Sequence, residues 1–149
     1  MRIVRHFVLP AVLAASLWVS GQVFATDEEV VMYKHPQCGC CGAWADHLRE
    51  NGFVVREVST LEMALVKSEA GVPSELGSCH TATVGGYLVE GHVPAVDVRR
   101  MLDERPEIAG IAVPGMPLGS PGMEGPYEAE SYEVIGFDAH GPAGVFASH

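Results

Sequence analysis

The chain has 149 residues and a formal net charge of −10 at pH 7, because 19 acidic side chains outnumber nine lysine and arginine side chains. This excess of negative charge argues against a nucleic acid or an anionic membrane as a partner. The length fits one domain with its own hydrophobic core. Beyond the N-terminal segment, no apolar run approaches the length of a membrane-spanning helix.

The N-terminal segment has the three parts of a secretory signal peptide. Arg2 and Arg5 supply positive charge, residues 7–19 are apolar, and small residues follow. The apolar part is shorter than a membrane span, and an uncleaved anchor is the alternative interpretation. We therefore predict a signal peptide over residues 1–25 and one exported domain over residues 26–149, with no membrane insertion after cleavage.

Strand and helix signals then alternate along the chain. Residues 29–34 are a nearly continuous apolar run, typical of a strand covered on both faces. A helix is predicted over residues 41–51 and a second strand over residues 53–58. A second helix is predicted to begin at a capping box formed by Ser59 and Glu62. This order indicates a βαβ unit with parallel strands and a right-handed crossover.

A hairpin and a third helix follow. Residues 81–84 and 87–91 are predicted strands joined by the turn pair Gly85-Gly86. The third helix opens at Pro94. A βαβ unit followed by ββα is the plan of a thioredoxin-like domain, so we predict an α/β, thioredoxin-like fold.

The last part of the chain changes in composition. Residues 106–126 are dense in glycine and proline and are predicted to form an irregular loop, which carries Met116 and Met123 in two short Gly-Met turns. The C-terminal tail reads as two short strands that turn at Gly141-Pro142. We expect this tail to form a β extension at an edge of the sheet.

Three of the four cysteines form a CxCC motif at the start of the first predicted helix: Cys38, Cys40 and Cys41. Cys38 and Cys41 make a C-x-x-C pair, and the unpaired N–H groups and dipole at a helix start stabilise a thiolate. In a thioredoxin-like plan this pair is the redox site. A C-x-x-C pair alone indicates redox and metal chemistry equally well.

A purely structural disulfide framework is a weaker interpretation. A bridge between the neighbours Cys40 and Cys41 is strained, and a framework would spread its cysteines to close long loops. As a third thiol, Cys40 competes in thiol exchange, but it adds a soft ligand suited to Cu(I). Cys79 lies just before the third strand, so a thioredoxin-like plan brings it to the other three cysteines.

Histidines near these cysteines are candidate supporting ligands. His35 lies three residues before Cys38, and a turn residue at the strand end is the alternative. His80 directly follows Cys79, although neighbouring residues of a strand point to opposite faces. His92 precedes the third helix, at the end of the sheet where the cysteines are expected.

Met116 and Met123 are candidate thioether ligands, because they stand in Gly-Pro surroundings rather than on an amphipathic face. Plain packing is the alternative. Zinc is less favoured, since it rarely binds methionine and the chain has no second C-x-x-C pair. His47 is predicted to face solvent on the first helix, without a role in the site.

Three long segments, HPQCGCCGAW, GSCHTATVGGYLVEGHVPA and GIAVPGMPLGSPGME, resemble the CopG-type periplasmic copper-resistance proteins of bacteria, long filed as a domain of unknown function. The resemblance covers roughly residues 30–146. It implies a thioredoxin-like fold, a periplasmic location and bound copper, with copper-efflux or copper-oxidising proteins as partners. The implied copper ligands are Cys38, Cys40, Cys41 and Cys79, supported by His35, His80, His92, Met116 and Met123.

Two functions therefore compete. The leading hypothesis is a periplasmic Cu(I)-binding protein that acts in copper resistance, with copper redox conversion as an extension of that role. The second is a thiol–disulfide oxidoreductase that uses Cys38 and Cys41 as its catalytic pair. A structural protein with four oxidised cysteines is a third interpretation.

Overall fold

The computed structural model describes residues 29–149, and these form a mixed seven-stranded sheet with three α-helices. The α/β prediction is confirmed. The predicted signal peptide, residues 1–25, lies outside the described residues. The strands are β1 (Val30–Lys34), β2 (Val55–Ser59), β3 (His80–Val84), β4 (Tyr87–Glu90), β5 (Gly110–Ala112), β6 (Glu133–Asp138) and β7 (Gly141–Ser148). The helices are α1 (Gly39–Glu50), α2 (Met63–Ala70) and α3 (Ala95–Glu104).

The strands lie in the order β2-β1-β3-β4-β5-β6-β7. β1 and β2 are parallel and are connected by α1, as the βαβ pattern predicts. β3 is antiparallel to both of its neighbours, β1 and β4. The β3–β4 hairpin turns at Gly85-Gly86, and both glycines have positive φ angles (56° and 87°), which they adopt without a steric penalty. In the described part of the chain, no helix is long and apolar enough to cross a membrane.

Three local predictions are corrected by the structure. The capping box is wrong, because Ser59 still pairs with Lys34 in the sheet and α2 begins only at Met63. The loop predicted over residues 106–126 contains β5, a three-residue strand too short to show a periodic pattern. The C-terminal hairpin is present at the sheet edge, but its turn precedes Gly141, which already belongs to β7.

The main core lies between the sheet and the helices α1 and α3. Trp44 and Leu48 of α1 are fully buried, as are Val98 and Met101 of α3. The indole N–H of Trp44 donates a hydrogen bond of 2.8 Å to the carbonyl oxygen of Val93, just before α3. This bond ties the helix that carries the CxCC motif to the segment that follows β4. α2 buries none of its residues completely.

Gly91 and Gly71 allow a matched test of packing at the segment that follows β4. Both have positive φ angles (73° and 80°), but a Cβ atom at Gly91 would overlap Ser78 Oγ and lie 2.7 Å from the Val113 carbonyl oxygen. A Cβ atom at Gly71 would meet nothing within 4 Å.

We expect Gly71→Ala to lower the free energy of unfolding by about 1–2 kcal/mol, the cost of a left-handed non-glycine residue. Gly91→Ala adds an overlap with backbone and side chain, so its loss should be clearly larger. Urea unfolding of both variants measures the difference. Equal losses of unfolding free energy in the two variants would show that the backbone after β4 shifts at little cost to make room for the added Cβ atom.

Candidate metal centre

Strand pairing gathers the four cysteines at one end of the sheet. β1 and β3 are antiparallel with Lys34 opposite His80, so the chain leaves β1 at the same end at which it enters β3. The CxCC motif follows β1, and Cys79 directly precedes β3. Cys38 occupies the N-cap position of α1 without a side-chain capping bond, while Cys40 and Cys41 lie in the first turn.

The sulfur atoms of these cysteines form one compact cluster. Cys40 Sγ lies 3.5 Å from Cys38 Sγ and 3.9 Å from Cys79 Sγ. All four sulfur atoms lie within 4.8 Å of one another. The structure therefore places Cys79 beside the CxCC motif, as the strand order implied. That these atoms bind a metal stays a prediction.

Two of the four cysteines are oxidised in the structure. Cys38 and Cys41 form a disulfide, with their Cα atoms 5.4 Å apart, whereas Cys40 and Cys79 are free thiols. The bridge closes a C-x-x-C pair and leaves the other two cysteines unpaired, which argues against a framework of two structural bridges. In this state the cluster offers two free thiols, and reduction of the bridge would supply two more.

Cys79 makes its shortest side-chain contact with His92. The distance from Cys79 Sγ to His92 Nε2 is 2.8 Å, and His92 Nδ1 lies 2.8 Å from the carbonyl oxygen of Pro121. A carbonyl oxygen only accepts hydrogen bonds, so Nδ1 carries the proton and Nε2 presents its lone pair to the sulfur atom. This arrangement orients the lone pair of His92 Nε2 beside Cys79, and metal binding by His92 stays a prediction.

The protonation states of these two groups agree with that geometry. Burial, followed by the charge of Cys40 and hydrogen bonding to it, raises the pKa of the Cys79 thiol to about 12. Burial also lowers the pKa of His92, opposed by the Pro121 carbonyl and Glu124. At neutral pH a thiol at Cys79 therefore donates to a neutral imidazole. A metal ion that binds here must displace the thiol proton.

His80 also lies beside Cys79. Cys79 lies in a bend and not in an extended strand, so the rule that neighbouring strand residues point to opposite faces does not apply to Cys79 and His80. His80 Nδ1 lies 3.4 Å from Cys79 Sγ, and its ring centroid lies 4.4 Å from that of Trp44. Burial, then the electrostatic influence of His92 and Lys67, hold the pKa of His80 well below its usual value, against the opposing effect of the Gly91 backbone. Its Nε2 atom is buried without a hydrogen-bond partner.

The close ligand atoms form two groups, one of the four cysteines and one of Cys79, His80 and His92, and His35 belongs to neither. Binding of a metal by Met116 and Met123 stays a prediction. His35 Nδ1 accepts the backbone N–H of Gln37 at 3.2 Å, which is the contact of a turn residue. Met116 is half exposed. Met123 directly follows Gly122, which packs against the start of α1: a Cβ atom there would lie 2.6 Å from the Cys40 carbonyl oxygen.

Several residues that shape the site gave no clear signal in the sequence. The carbonyl of Pro121 sets the tautomer of His92, and a backbone group carries no residue-type signature. Glu90 is completely buried and pairs with Lys67 at 2.6 Å beside the Cys79 segment. The only hint of that pair was an acidic residue at the end of an apolar strand.

The prediction that His47 faces solvent without a role is corrected. Its side chain is partly buried, and its Nε2 atom accepts the backbone N–H of Ala95, the first residue of α3, at 3.1 Å. His47 thus caps α3, a helix whose start lies just after His92. Burial lowers the pKa of His47, opposed by the charges of Glu124 and Glu50, and only the unprotonated Nε2 can accept this bond.

His47 should therefore make stability depend on pH. A histidine with a lowered pKa in the folded state stabilises the fold fully above the unfolded value of about 6.5, and this contribution is lost as pH falls toward the folded pKa. We expect His47→Ala to cost about 1 kcal/mol at pH 7.5, the usual value of a lost helix cap. The cost should shrink on acidification below pH 6.5. Urea unfolding at pH 7.5 and 5.0 measures both quantities.

His140→Ala serves as the control for that measurement, since His140 is an exposed histidine in a turn. It should leave the free energy of unfolding nearly unchanged at both pH values. A cost for His47→Ala that is the same at both pH values would show that the cap does not titrate.

An α/β domain that gathers four cysteine sulfur atoms and two neutral, buried histidines in two clusters that share Cys79 belongs, by its chemistry, among candidate metal-binding proteins. Comparison with known proteins specifies the family. Residues 76–123 match the model of a family described as a protein of unknown function, DUF411. No curated protein matches the chain significantly.

Two solved structures, both described as copper resistance protein CopG, are similar to the whole described domain. Form 2 is 44% identical with a TM-score of 0.77 and covers 82% of this chain and 98% of its own. Form 1 is 45% identical with a TM-score of 0.76 and covers 81% of this chain and 96% of its own. The chain belongs to the CopG-type family of copper-resistance proteins, as its sequence motifs indicated.

Proposed function

We propose that this protein binds copper as Cu(I), through the thiolates of Cys38, Cys40, Cys41 and Cys79, and that it acts in copper resistance. The observation that carries the proposal is the cluster of four sulfur atoms within 4.8 Å of one another. Thiolates are the ligands that soft Cu(I) prefers. The name of the similar solved structures supports copper over other soft metals.

The histidines support the same proposal. Cys79 belongs to two clusters at once, one with the other cysteines and one with His80 and His92. A sulfur shared between two donor sets suits more than one copper ion, since thiolates bridge soft metals. His92 Nε2 is already deprotonated and oriented, which favours binding. His35, Met116 and Met123 stay proposed ligands on the sequence resemblance alone.

A redox role is supported by the disulfide at the start of α1. Reduction of the Cys38–Cys41 bridge consumes two electrons and two protons, which two Cu(I) ions oxidised to Cu(II) and two solvent protons would balance. The strand order β2-β1-β3-β4, with β3 antiparallel to its neighbours, supports a thioredoxin-like core in which this pair occupies the redox position. We therefore propose copper redox conversion as an extension of copper binding.

The proposed location is the periplasm, reached through a signal peptide over residues 1–25 that leaves the domain 26–149. Family membership and the predicted signal sequence support this location. Copper-efflux or copper-oxidising proteins are the proposed partners, because bound copper must be passed on for resistance to persist.

Copper binding is tested by titration of the reduced protein with Cu(I) against a chromophoric Cu(I) chelator without oxygen. We expect Cys79→Ser, and the double variant Cys38→Ser with Cys41→Ser, each to weaken binding by at least about tenfold, which corresponds to about 1.4 kcal/mol. The exposed His140→Ala should bind like the unchanged protein. Affinity that is weak, or is unaffected by loss of these sulfur atoms, would disprove the proposal.

A thiol–disulfide oxidoreductase is the second candidate, and Cys40 separates it from copper binding. A dithiol oxidoreductase needs only Cys38 and Cys41, so its reduction of insulin disulfides should survive Cys40→Ser. Copper binding should lose at least about tenfold in affinity with the same variant, because a ligand is removed. Insulin turnover that is fast and independent of Cys40, together with unchanged copper affinity, would favour the oxidoreductase.

A further inference from the structure

Glu90, the last residue of β4, carries a fully buried carboxylate near the cysteine cluster. One carboxylate oxygen accepts hydrogen bonds from Lys67 Nζ and from the backbone N–H of Ser78, both at 2.6 Å. The other accepts from the hydroxyl of Thr81, also at 2.6 Å. A buried carboxylate is costly unless it is paired and hydrogen-bonded, and here both oxygens are satisfied.

The hydrogen bond between Glu90 and the backbone of Ser78 acts on the segment that carries Cys79, a candidate metal ligand. Ser78 directly precedes Cys79, whereas Glu90 lies two residues before His92. The carboxylate thus joins the two segments whose side chains meet at the 2.8 Å contact between Cys79 Sγ and His92 Nε2. The β3–β4 ladder pairs residues 81–84 with residues 87–90, so Ser78 and Cys79 lie beyond it.

Lys67 supplies the positive charge that offsets the energetic cost of the buried Glu90 carboxylate. It comes from α2, is one-fifth exposed, and also donates to the hydroxyl of Thr81 at 2.9 Å. It neutralises Glu90, so the carboxylate adds no net charge next to sulfur atoms that must ionise when they bind a metal.

We infer that Glu90 is a positioning residue for the cysteine cluster: by holding the backbone N–H of Ser78, its carboxylate fixes Cys79 Sγ relative to Cys40 and His92. The inference rests on the proposed function insofar as it concerns copper, but the position of the sulfur atom is measurable without copper. Glu90 touches neither sulfur nor metal and acts only through the segment that it holds.

Two substitutions of similar size separate a positioning role of the hydrogen bond to Ser78 from a role of the negative charge alone. Glu90→Gln keeps a side-chain carbonyl oxygen that accepts the Ser78 N–H. Glu90→Leu removes every acceptor. A positioning role predicts that glutamine rescues the site and leucine does not, whereas a role in charge alone predicts that both variants fail.

The first measurement is independent of copper. In a background of Cys38→Ser and Cys41→Ser, only Cys40 and Cys79 remain, and diamide oxidises their thiols to one disulfide by accepting two electrons and two protons. Their sulfur atoms lie 3.9 Å apart, so bridging should be fast with Glu90 and with Glu90→Gln. We expect bridging to be at least about tenfold slower with Glu90→Leu, a change of about 1.4 kcal/mol in the barrier. Bridging at an unchanged rate with leucine would overturn the inference.

The second measurement is the Cu(I) affinity and the number of sulfur atoms around copper, by chelator competition and X-ray absorption. Glu90→Leu should lower both, as Cys79→Ser does, and Glu90→Gln should restore both. Phe137→Leu, a buried change in β6, controls for a general loss of stability. If the unchanged protein fails to bind Cu(I), the proposed function fails, and the bridging assay still decides the inference.

Should Glu90→Leu not fold, Ser78 provides the same test from the donor side. Ser78→Pro removes the N–H that Glu90 accepts and leaves the Glu90–Lys67 pair in place. Ser78→Ala is the comparison variant, because it keeps the N–H and removes the hydroxyl, which bonds the Gly115 carbonyl and also interacts with the Cys79 thiol. The inference expects slow bridging with proline and fast bridging with alanine, and equal rates would overturn it.

Discussion

The antiparallel pairing of β1 with β3 is the constraint on which the site depends. It sets Lys34 opposite His80, and so brings the segment that follows β1 to the segment that precedes β3. Cys40 and Cys79 are 39 residues apart in the chain, yet their sulfur atoms lie 3.9 Å apart. Cys79 therefore joins the other three sulfur atoms only in the folded state. The conformational entropy lost in bringing the four sulfur atoms together is lost on folding and not on metal binding.

The irregular segment after β5 takes part in the site as much as the helices do. Its Pro121 carbonyl fixes the proton of His92 on Nδ1, which frees Nε2 to face Cys79. Its Gly122, with a φ angle of 84°, approaches the start of α1 so closely that no side chain fits there. Gly122 thus serves close packing of this loop against the cysteine turn.

The features that were predictable from the sequence are those with local or pairing signals. The hairpin at Gly85-Gly86 follows from turn chemistry, and the approach of Cys79 to the CxCC motif follows from strand order. The start of α2 was misplaced because sheet pairing of Ser59 overrides its capping preference. The role of Glu90 was missed because an acidic residue at a strand end equally well marks the return to solvent.

His80 shows that the region around Cys79 carries a cost that a plain hydrophobic core would not. Its Nε2 atom is buried without a hydrogen-bond partner, and such a group costs about 1–3 kcal/mol. The same buried region holds a neutral His92 and a thiol at Cys79 whose pKa lies far above neutrality. An apolar side chain in place of His80 would avoid that cost. The proton on the Cys79 thiol is part of the same cost, and a metal ion that replaced it, as proposed, would return that part of the stability.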